Sequence, residues 1–229
     1  MFAKLITSGV FGMMNSGAAY IAGIVACAVI SYLVGSFNFM AGAAKKANCF
    51  PDLVGLIKAI GVWRAIGLAA LDALKGALCA LLGLLLMPGD GYVGVCGLFC
   101  MIGQIFPLYS KFKGGGAGAV AVGVCLVMNP IMALACLAVG FAMYAVSGFI
   151  SLGVITFSCV FPFLARRLPL FTFVAEETRI SLVNAFLENL VPIALAIAVL
   201  LAYASAIGRM MAGDEPKMPL FKKKTQINL

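Results

Sequence analysis

Long stretches without a charge dominate the pattern of hydrophobic and polar positions along the chain. No charged residue occurs between Leu5 and Ala44 or between Gly114 and Ala165. A helix that crosses the hydrocarbon core of a bilayer needs about 20 predominantly apolar residues, so each stretch holds at least one such helix. The pattern therefore predicts an all-α, polytopic membrane protein, because a helix satisfies its own backbone hydrogen bonds in lipid.

Polar breaks, prolines and glycines divide the apolar stretches into elements. We expect about seven membrane helices, at residues 15–44, 60–87, 92–111, 117–128, 131–145, 149–165 and 180–211. The fourth is expected to be short, because roughly 12 residues rise only about 18 Å against a bilayer core of about 30 Å. This organisation predicts an interfacial N-terminal segment at 1–14, a membrane domain at 15–212 and a basic cytoplasmic tail at 213–229.

Basic residues are distributed unequally between the two sides of the membrane that these helices define. With the N-terminus outside and the C-terminus in the cytoplasm, eleven Lys and Arg side chains face the cytoplasm and four face outwards. Cytoplasmic loops are enriched in positive charge, so the bias favours this orientation. The cytoplasmic set is Lys45, Lys46, Lys58, Arg64, Lys111, Lys113, Arg209, Lys217, Lys222, Lys223 and Lys224, and the outer set is Lys4, Arg166, Arg167 and Arg179.

Composition narrows the classes of function. The chain is 64% hydrophobic and 10% charged, with a mean hydropathy of +1.13, whereas soluble domains are roughly a quarter charged. The net charge of +8 is better explained by anionic lipid head groups than by nucleic acid, so membrane lipids are the expected partners. The chain has no histidine, the commonest metal ligand, and its eight cysteines are scattered, so we expect no metal site and no cofactor.

The segment SKFKGGGAGAVAVG (110–123) is the clearest candidate for ligand binding. Lys113 precedes Gly114, Gly115 and Gly116, and a helix is predicted directly after them. Free backbone N–H groups, the positive end of a helix dipole and a lysine together provide what a phosphate group needs. The same composition is typical of a plain turn between two helices, and the residues alone favour the turn.

Two charged residues lie inside a predicted span. Asp72 and Lys75 are three positions apart and therefore share one face of the helix. Either charge alone would be costly in lipid. We therefore expect a structural ion pair inside the bundle, with a direct catalytic role as the less favoured interpretation.

Four segments occur in an order that resembles the bacterial acyl-phosphate:glycerol-3-phosphate acyltransferases. YLVGSFNF (32–39) resembles the end of that family's first helix, and LDALKGAL (71–78) resembles its D-x-L-K-G stretch. GQIFPLYSKFKGGGAGA (103–119) resembles the second family motif, G-H-x-x-P-x-x-x-x-F-K-G-G-K-G, and IGRMMAGDEPK (207–217) resembles the third, N-I-x-R-x-x-x-G-x-E. The resemblance implies an enzyme of the bacterial cytoplasmic membrane that transfers an acyl group from acyl phosphate to glycerol 3-phosphate in phospholipid synthesis.

The chain departs from the family motifs at polar positions. The first motif, G-S-G-N-x-G-A-T-N, is replaced by ANCFPDLVG (47–55). In the second motif, Gln104 replaces the histidine and Gly116 replaces the second lysine. The histidine position of the third motif falls at Tyr203. The chain thus keeps the residues of the family scaffold, whereas several polar residues of the motifs are missing.

The resemblance implies a set of residues that bind phosphate or substrate, and it assigns no residue a catalytic role. The set is Lys58 (near the family's arginine position), Gln104, Lys113, Gly114, Gly115, Gly116 and Arg209. Acyl transfer needs groups that stabilise a developing oxyanion, so we expect a family member with lost or altered standard activity that still binds acyl phosphate or a phosphate-bearing lipid. The alternatives are a different acyl donor or acceptor, and a non-catalytic subunit that binds a lipid or a protein partner.

Overall fold

The described part of the chain is helical. A computed structural model describes residues 17–86, 90–110, 114–167, 182–215 and Met218, and the statements below concern these residues. They form ten α-helices and one 3₁₀ turn at Leu108–Ser110. The helices are α1 (Gly17–Gly35), α2 (Phe39–Ala47), α3 (Leu53–Ile60), α4 (Val62–Leu86), α5 (Asp90–Ile105), α6 (Gly118–Met128), α7 (Pro130–Ser147), α8 (Ile150–Arg167), α9 (Leu182–Ala202) and α10 (Ala204–Ala212).

Helix length and hydropathy confirm an all-α membrane protein. Within the described residues, four segments are long and apolar enough to cross a bilayer, and a fifth is the bent pair α9–α10. Two further apolar helices are shorter, Gly118–Met128 and Ile150–Leu164. The short fourth membrane helix predicted from the sequence is α6, which has 11 residues. The orientation of the termini stays a prediction.

The first predicted span is interrupted. The sequence predicts one helix over 15–44, whereas α1 ends at Gly35 and α2 begins at Phe39. Asn38 caps α2 by accepting a hydrogen bond from the Ala41 N–H at 2.8 Å. The Asp72 carboxylate, from α4, accepts the N–H groups of Phe39 and Met40, each at 3.4 Å. The break is therefore stabilised by a residue distant in sequence, which the local pattern does not reveal.

Small residues bring the helices of the bundle into close contact. A Cβ atom on Gly35 would overlap the backbone of Cys100, so α1 and α5 touch at their backbones. A Cβ on Gly123 would overlap the carbonyl oxygen of Ala73, so α6 lies directly against α4. Association of membrane helices depends on such close packing, because lipid supplies no hydrophobic driving force between helices.

The predicted last helix is also divided. The sequence predicts one helix over 180–211, but α9 ends at Ala202, α10 begins at Ala204, and the two are bent by 51°. Pro192, the residue in this segment most expected to produce a kink, lies inside α9. The bend instead occurs at Tyr203, whose side chain lies against Gly116 of the glycine-rich loop and against Gly118.

Candidate functional site

The glycine-rich loop fits tightly between its neighbours. Residues 114–117 connect the 3₁₀ turn after α5 to the start of α6, and a Cβ on Gly114 would overlap the carbonyl oxygens of Gln104 and Ile105. A Cβ on Gly115 would lie 2.9 Å from the carbonyl oxygen of Pro51. Glycine is therefore needed here for close backbone approach. Ala117, the N-cap of α6, provides no side-chain hydrogen bond to the first turn of that helix.

Tyr203 covers this loop. Its hydroxyl oxygen lies 2.8 Å from the position of a Cβ on Gly116 and 2.8 Å from the position of a Cβ on Gly118. Gly116 is the position at which the family motif has lysine. A Cβ at this position would contact the tyrosine hydroxyl more closely than ordinary van der Waals distance, so the Tyr203 side chain would have to shift to admit a lysine.

A cavity of about 330 Å³ lies beside the loop and Tyr203. Its lining is mainly apolar, and its polar side chains are Asp52 and Tyr203. Gly116 and Gly118 form its wall at the start of α6, and other lining residues include Met40, Ile66, Ala70, Val122 and Val154. An apolar cavity with a few polar groups at one end is a suitable shape for an amphiphile.

A fully enclosed polar cluster joins α4 and α5. Lys75 Nζ lies 3.0 Å from Asp72 Oδ1, and Gln104 Nε2 donates to Asp72 Oδ2 at 3.1 Å. Lys75 Nζ also donates to Gln104 Oε1. Gln104 has no exposed surface and is absent from the cavity lining. Its amide is therefore committed to the ion pair and is not presented to a ligand.

The ammonium group of Lys75 also contacts the break between α1 and α2, so its three N–H groups are shared among four acceptors. The Nζ atom donates to the carbonyl oxygen of Gly35 at 3.2 Å and to that of Phe37. It also lies 5.7 Å from the centroid of the Phe39 ring. The charge is thus surrounded by acceptors and an aromatic face, as a cation buried in a membrane bundle requires.

Arg209 lies in a second polar cluster near the cavity. Its Nε atom donates to Glu215 Oε2 at 2.7 Å, and its Nη2 atom lies 3.9 Å from Asp52 Oδ2. Ser151 donates to the other oxygen of Glu215 at 2.7 Å. The guanidinium carbon lies 5.8 Å from the centroid of the Phe50 ring. Arg209 therefore faces two carboxylates, which compete with any phosphate for its donors.

The structure brings some of the predicted site residues together and separates others. Gly116 lines the cavity, and Arg209 contacts Asp52, which also lines it, whereas Gly114 and Gly115 are not part of the lining. Lys58 is exposed in the last turn of α3 and does not line the cavity. Lys113 lies outside the described residues, so its place relative to the loop stays a prediction. Within the described part of the chain, no group of three or more Cys, Asp or Glu side chains could hold a metal ion.

Asp52 is a site residue that sequence reasoning did not identify. Its Oδ1 atom accepts the Gly55 N–H at 2.9 Å, which makes it the N-cap of α3. The sequence does contain a signal for this helix cap, because an aspartate stands directly before the apolar run LVGLI. That signal predicts a cap, but it does not predict that the carboxylate also faces the cavity and Arg209.

Comparisons with known proteins agree on one family. The family model described as Glycerol-3-phosphate acyltransferase matches residues 25–213. A glycerol-3-phosphate acyltransferase from Thermoanaerobacter pseudethanolicus (strain ATCC 33223 / 39E) is 29% identical over 212 residues, which cover 89% of this chain and 98% of the relative. One from Shewanella sediminis (strain HAW-EB3) is 28% identical and covers 95% of this chain and 98% of the relative.

Two crystal structures share the fold. Both are of PlsY (YgiH), an integral membrane glycerol 3-phosphate acyltransferase, in its glycerol 3-phosphate form and its lysophosphatidic acid form. The TM-scores are 0.72 and 0.71, at 22% sequence identity, and the match covers 85% of this chain and 95% of PlsY. At this identity the likeness establishes the arrangement of the helices.

Proposed function

Since the chain belongs to the glycerol-3-phosphate acyltransferase family, we propose that it is a lipid-binding member in which the standard reaction has been lost. That reaction transfers an acyl group from acyl phosphate to glycerol 3-phosphate. The cavity beside the glycine-rich loop is the proposed lipid site. The observation that carries the proposal is the Tyr203 hydroxyl beside Gly116, which lies 2.8 Å from where the Cβ of a lysine would be.

Loss of the reaction follows from what acyl transfer requires. The transition state develops negative charge on an oxygen, and fixed donors or cations must be aimed at it. In the second family motif, Gly116 replaces a lysine and Gln104 replaces a histidine. Gln104 spends its amide on Lys75 and Asp72. These changes remove a positive charge and hydrogen-bond donors together. They therefore support complete loss of the reaction more than a partial decrease in its rate.

Lipid binding is supported by what the chain keeps. The cavity is lined mainly by apolar side chains from α4, α6 and α8, and its volume of about 330 Å³ is typical of ligand sites. Ile66, on its wall, is 47% exposed and belongs to α4, a helix long and apolar enough to cross a bilayer. We therefore expect an acyl chain to enter the cavity along α4.

An activity assay tests the loss of the reaction. The purified protein in detergent is given palmitoyl phosphate and glycerol 3-phosphate, and released phosphate and lysophosphatidic acid are measured. The Thermoanaerobacter pseudethanolicus relative serves as the positive control under the same conditions. We expect no product above the protein-free blank. Turnover at a rate comparable with that of the relative would refute the proposal, and turnover with another acyl donor or acceptor would replace it with an altered specificity.

A pair of variants tests the lipid site. Ala70→Phe places a ring at the cavity wall, whereas Ala138→Phe adds the same ring to an exposed position of α7 that does not line the cavity. A single-chain lipid should raise the melting temperature of the wild type and of Ala138→Phe by several degrees. It should raise that of Ala70→Phe little. Equal shifts in all three proteins would place lipid binding elsewhere.

A further inference from the structure

We infer that the cavity takes a single-chain lipid with an uncharged, hydrogen-bonding head group, of the monoacylglycerol class. The inference rests on the lipid-binding function proposed above and names its ligand. It differs from the phosphate-bearing ligand expected from the sequence, and it follows from the chemistry of Asp52 and Tyr203 at the polar end of the cavity.

The two polar side chains offer one donor and one acceptor. The Tyr203 hydroxyl makes no hydrogen bond within the part of the chain that the structure describes, so its proton is available to a ligand. Asp52 uses Oδ1 to cap α3, while its Oδ2 is 3.9 Å from Arg209, beyond hydrogen-bond distance. A glycerol ester complements both groups, because its carbonyl oxygen accepts and its free hydroxyls donate.

The charges beside the cavity, among the residues that the structure describes, disfavour a phosphate. Asp52 and Glu215 carry two negative charges, and Arg209, which contacts both, carries one positive charge. A phosphate monoester brings close to two further negative charges into this group. In the low dielectric of a membrane protein such repulsion is weakly screened. An uncharged head group meets none of it, and its carbonyl oxygen can still face the positive end of α6.

The shape of the cavity favours one acyl chain. Its volume is about 330 Å³, and Tyr203 closes it against Gly116 and Gly118. Beyond the polar end, the lining consists of small and aliphatic side chains such as Ala70 and Val122. We therefore place the glycerol ester at Asp52 and Tyr203, with the chain running along α4 towards the bilayer.

Two lipids that differ only in the phosphate test the inference. The wild-type protein, in nanodiscs of a zwitterionic phospholipid, is titrated with 1-palmitoylglycerol and with 1-palmitoyl lysophosphatidic acid, and native mass spectrometry measures the bound fraction of each. We expect the monoacylglycerol to bind about tenfold more tightly at neutral pH. Lysophosphatidic acid binding as tightly, or more tightly, would overturn the inference. Loss of that binding in Lys113→Ala would then assign the phosphate to the glycine-rich loop.

Variants separate the two polar contacts. Asp52→Asn keeps a side chain able to cap α3 but removes the charge, so the preference for the uncharged lipid should fall several-fold. Tyr203→Phe removes only a hydroxyl and should weaken monoacylglycerol binding several-fold. Tyr109→Phe, at an exposed tyrosine outside this cavity, should leave it unchanged. An unchanged preference in Asp52→Asn together with unchanged affinity in Tyr203→Phe would refute the placement.

The outcomes also distinguish this inference from the proposed function. Binding of neither lipid would overturn the inference and the lipid site together. Formation of lysophosphatidic acid from palmitoyl phosphate and glycerol 3-phosphate would overturn the loss of activity, while the measured order of the two affinities would still decide the head group.

Discussion

At the scale of single residues, Lys75 illustrates what a buried cation requires in a membrane protein. It is buried, and its ammonium group contacts a carboxylate, an amide oxygen and two backbone carbonyls. These acceptors come from α4, from α5 and from the break after α1. A buried ion pair contributes little net stability, but removing one member leaves an uncompensated charge. Lys75 and Asp72 therefore fix the arrangement of three helices more than they add to the free energy of folding.

Single and double changes at this pair test the account. Asp72→Leu and Lys75→Met should each lower the free energy of unfolding by about 3–5 kcal/mol, because each leaves one buried charge. The double variant should lose less than either single variant, since no charge remains. Unfolding by sodium dodecyl sulphate in mixed micelles, followed by circular dichroism, gives the three values. A double variant that is the least stable of the three would contradict this explanation.

The same residues show which side-chain contacts can be predicted from the sequence. The shared face of Asp72 and Lys75 follows from helical spacing alone. Gln104, which completes the cluster, comes from another helix, and nothing in its local sequence predicts that contact. The position of Tyr203 above Gly116 is also a tertiary contact, created by the bend between α9 and α10.

At the scale of elements, the contact between α4 and α6 depends on the absence of side chains. A Cβ on Gly123 would overlap the Ala73 carbonyl oxygen, and one on Gly76 would lie 2.5 Å from the Val120 carbonyl oxygen. Reciprocal glycines bring the two helices together along the wall of the cavity. Displacing α6 would therefore alter the glycine-rich loop and the cavity as well as the stability of the bundle.

Two alanine substitutions test this contact. Gly123→Ala should lower the free energy of unfolding by about 1–3 kcal/mol or more, because backbone atoms of α4 must move to admit the methyl group. Gly67→Ala, in α4 with nothing within 4 Å of the new Cβ, is the matched control. It should be neutral or stabilising by up to about 1 kcal/mol, because alanine favours a helix. Similar losses of stability in both variants would contradict this explanation, because they would show that replacing any glycine in these helices is destabilising.

Element boundaries were predictable where the signal is local. The short α6 follows from the distance between the glycine-rich loop and Asn129–Pro130, and Asn129 caps α7 as its type predicts. The gap between α1 and α2 was not predicted, because Asp72 supplies acceptors for its N–H groups from another helix. The bend at Tyr203 was not predicted either, since the proline in that segment lies elsewhere.

At the scale of the whole molecule, the sequence was sufficient for the fold class and the family. Unbroken apolar stretches require membrane helices, and the order of the motif segments resembles one family over most of the chain. The orientation rests on charge alone, with eleven basic side chains assigned to the cytoplasm and four to the outside. Whether the site keeps the standard reaction could not be predicted at this scale, because that depends on contacts among a few side chains.

A pair of fusions tests the orientation. We expect green fluorescent protein at the C-terminus to be fluorescent and alkaline phosphatase at the same position to be inactive, because that end is predicted to be cytoplasmic. Protein levels measured by immunoblot provide the control for expression. Active alkaline phosphatase with dark green fluorescent protein would reverse the assignment of both termini.

The tyrosine above the glycine-rich loop also constrains the order in which substitutions can accumulate during evolution. A lineage that acquired lysine at position 116 while Tyr203 was present would pass through an intermediate in which the tyrosine side chain has to shift. Gly116→Lys alone should therefore be destabilising, and Tyr203→Ala should relieve it, with a coupling of about 0.5–3 kcal/mol in a double-mutant cycle. Additive effects would remove the constraint. If the coupling holds, a lysine at position 116 is accommodated more readily once the tyrosine has been replaced, so the effect of a change in the glycine-rich loop depends on a residue more than eighty positions away.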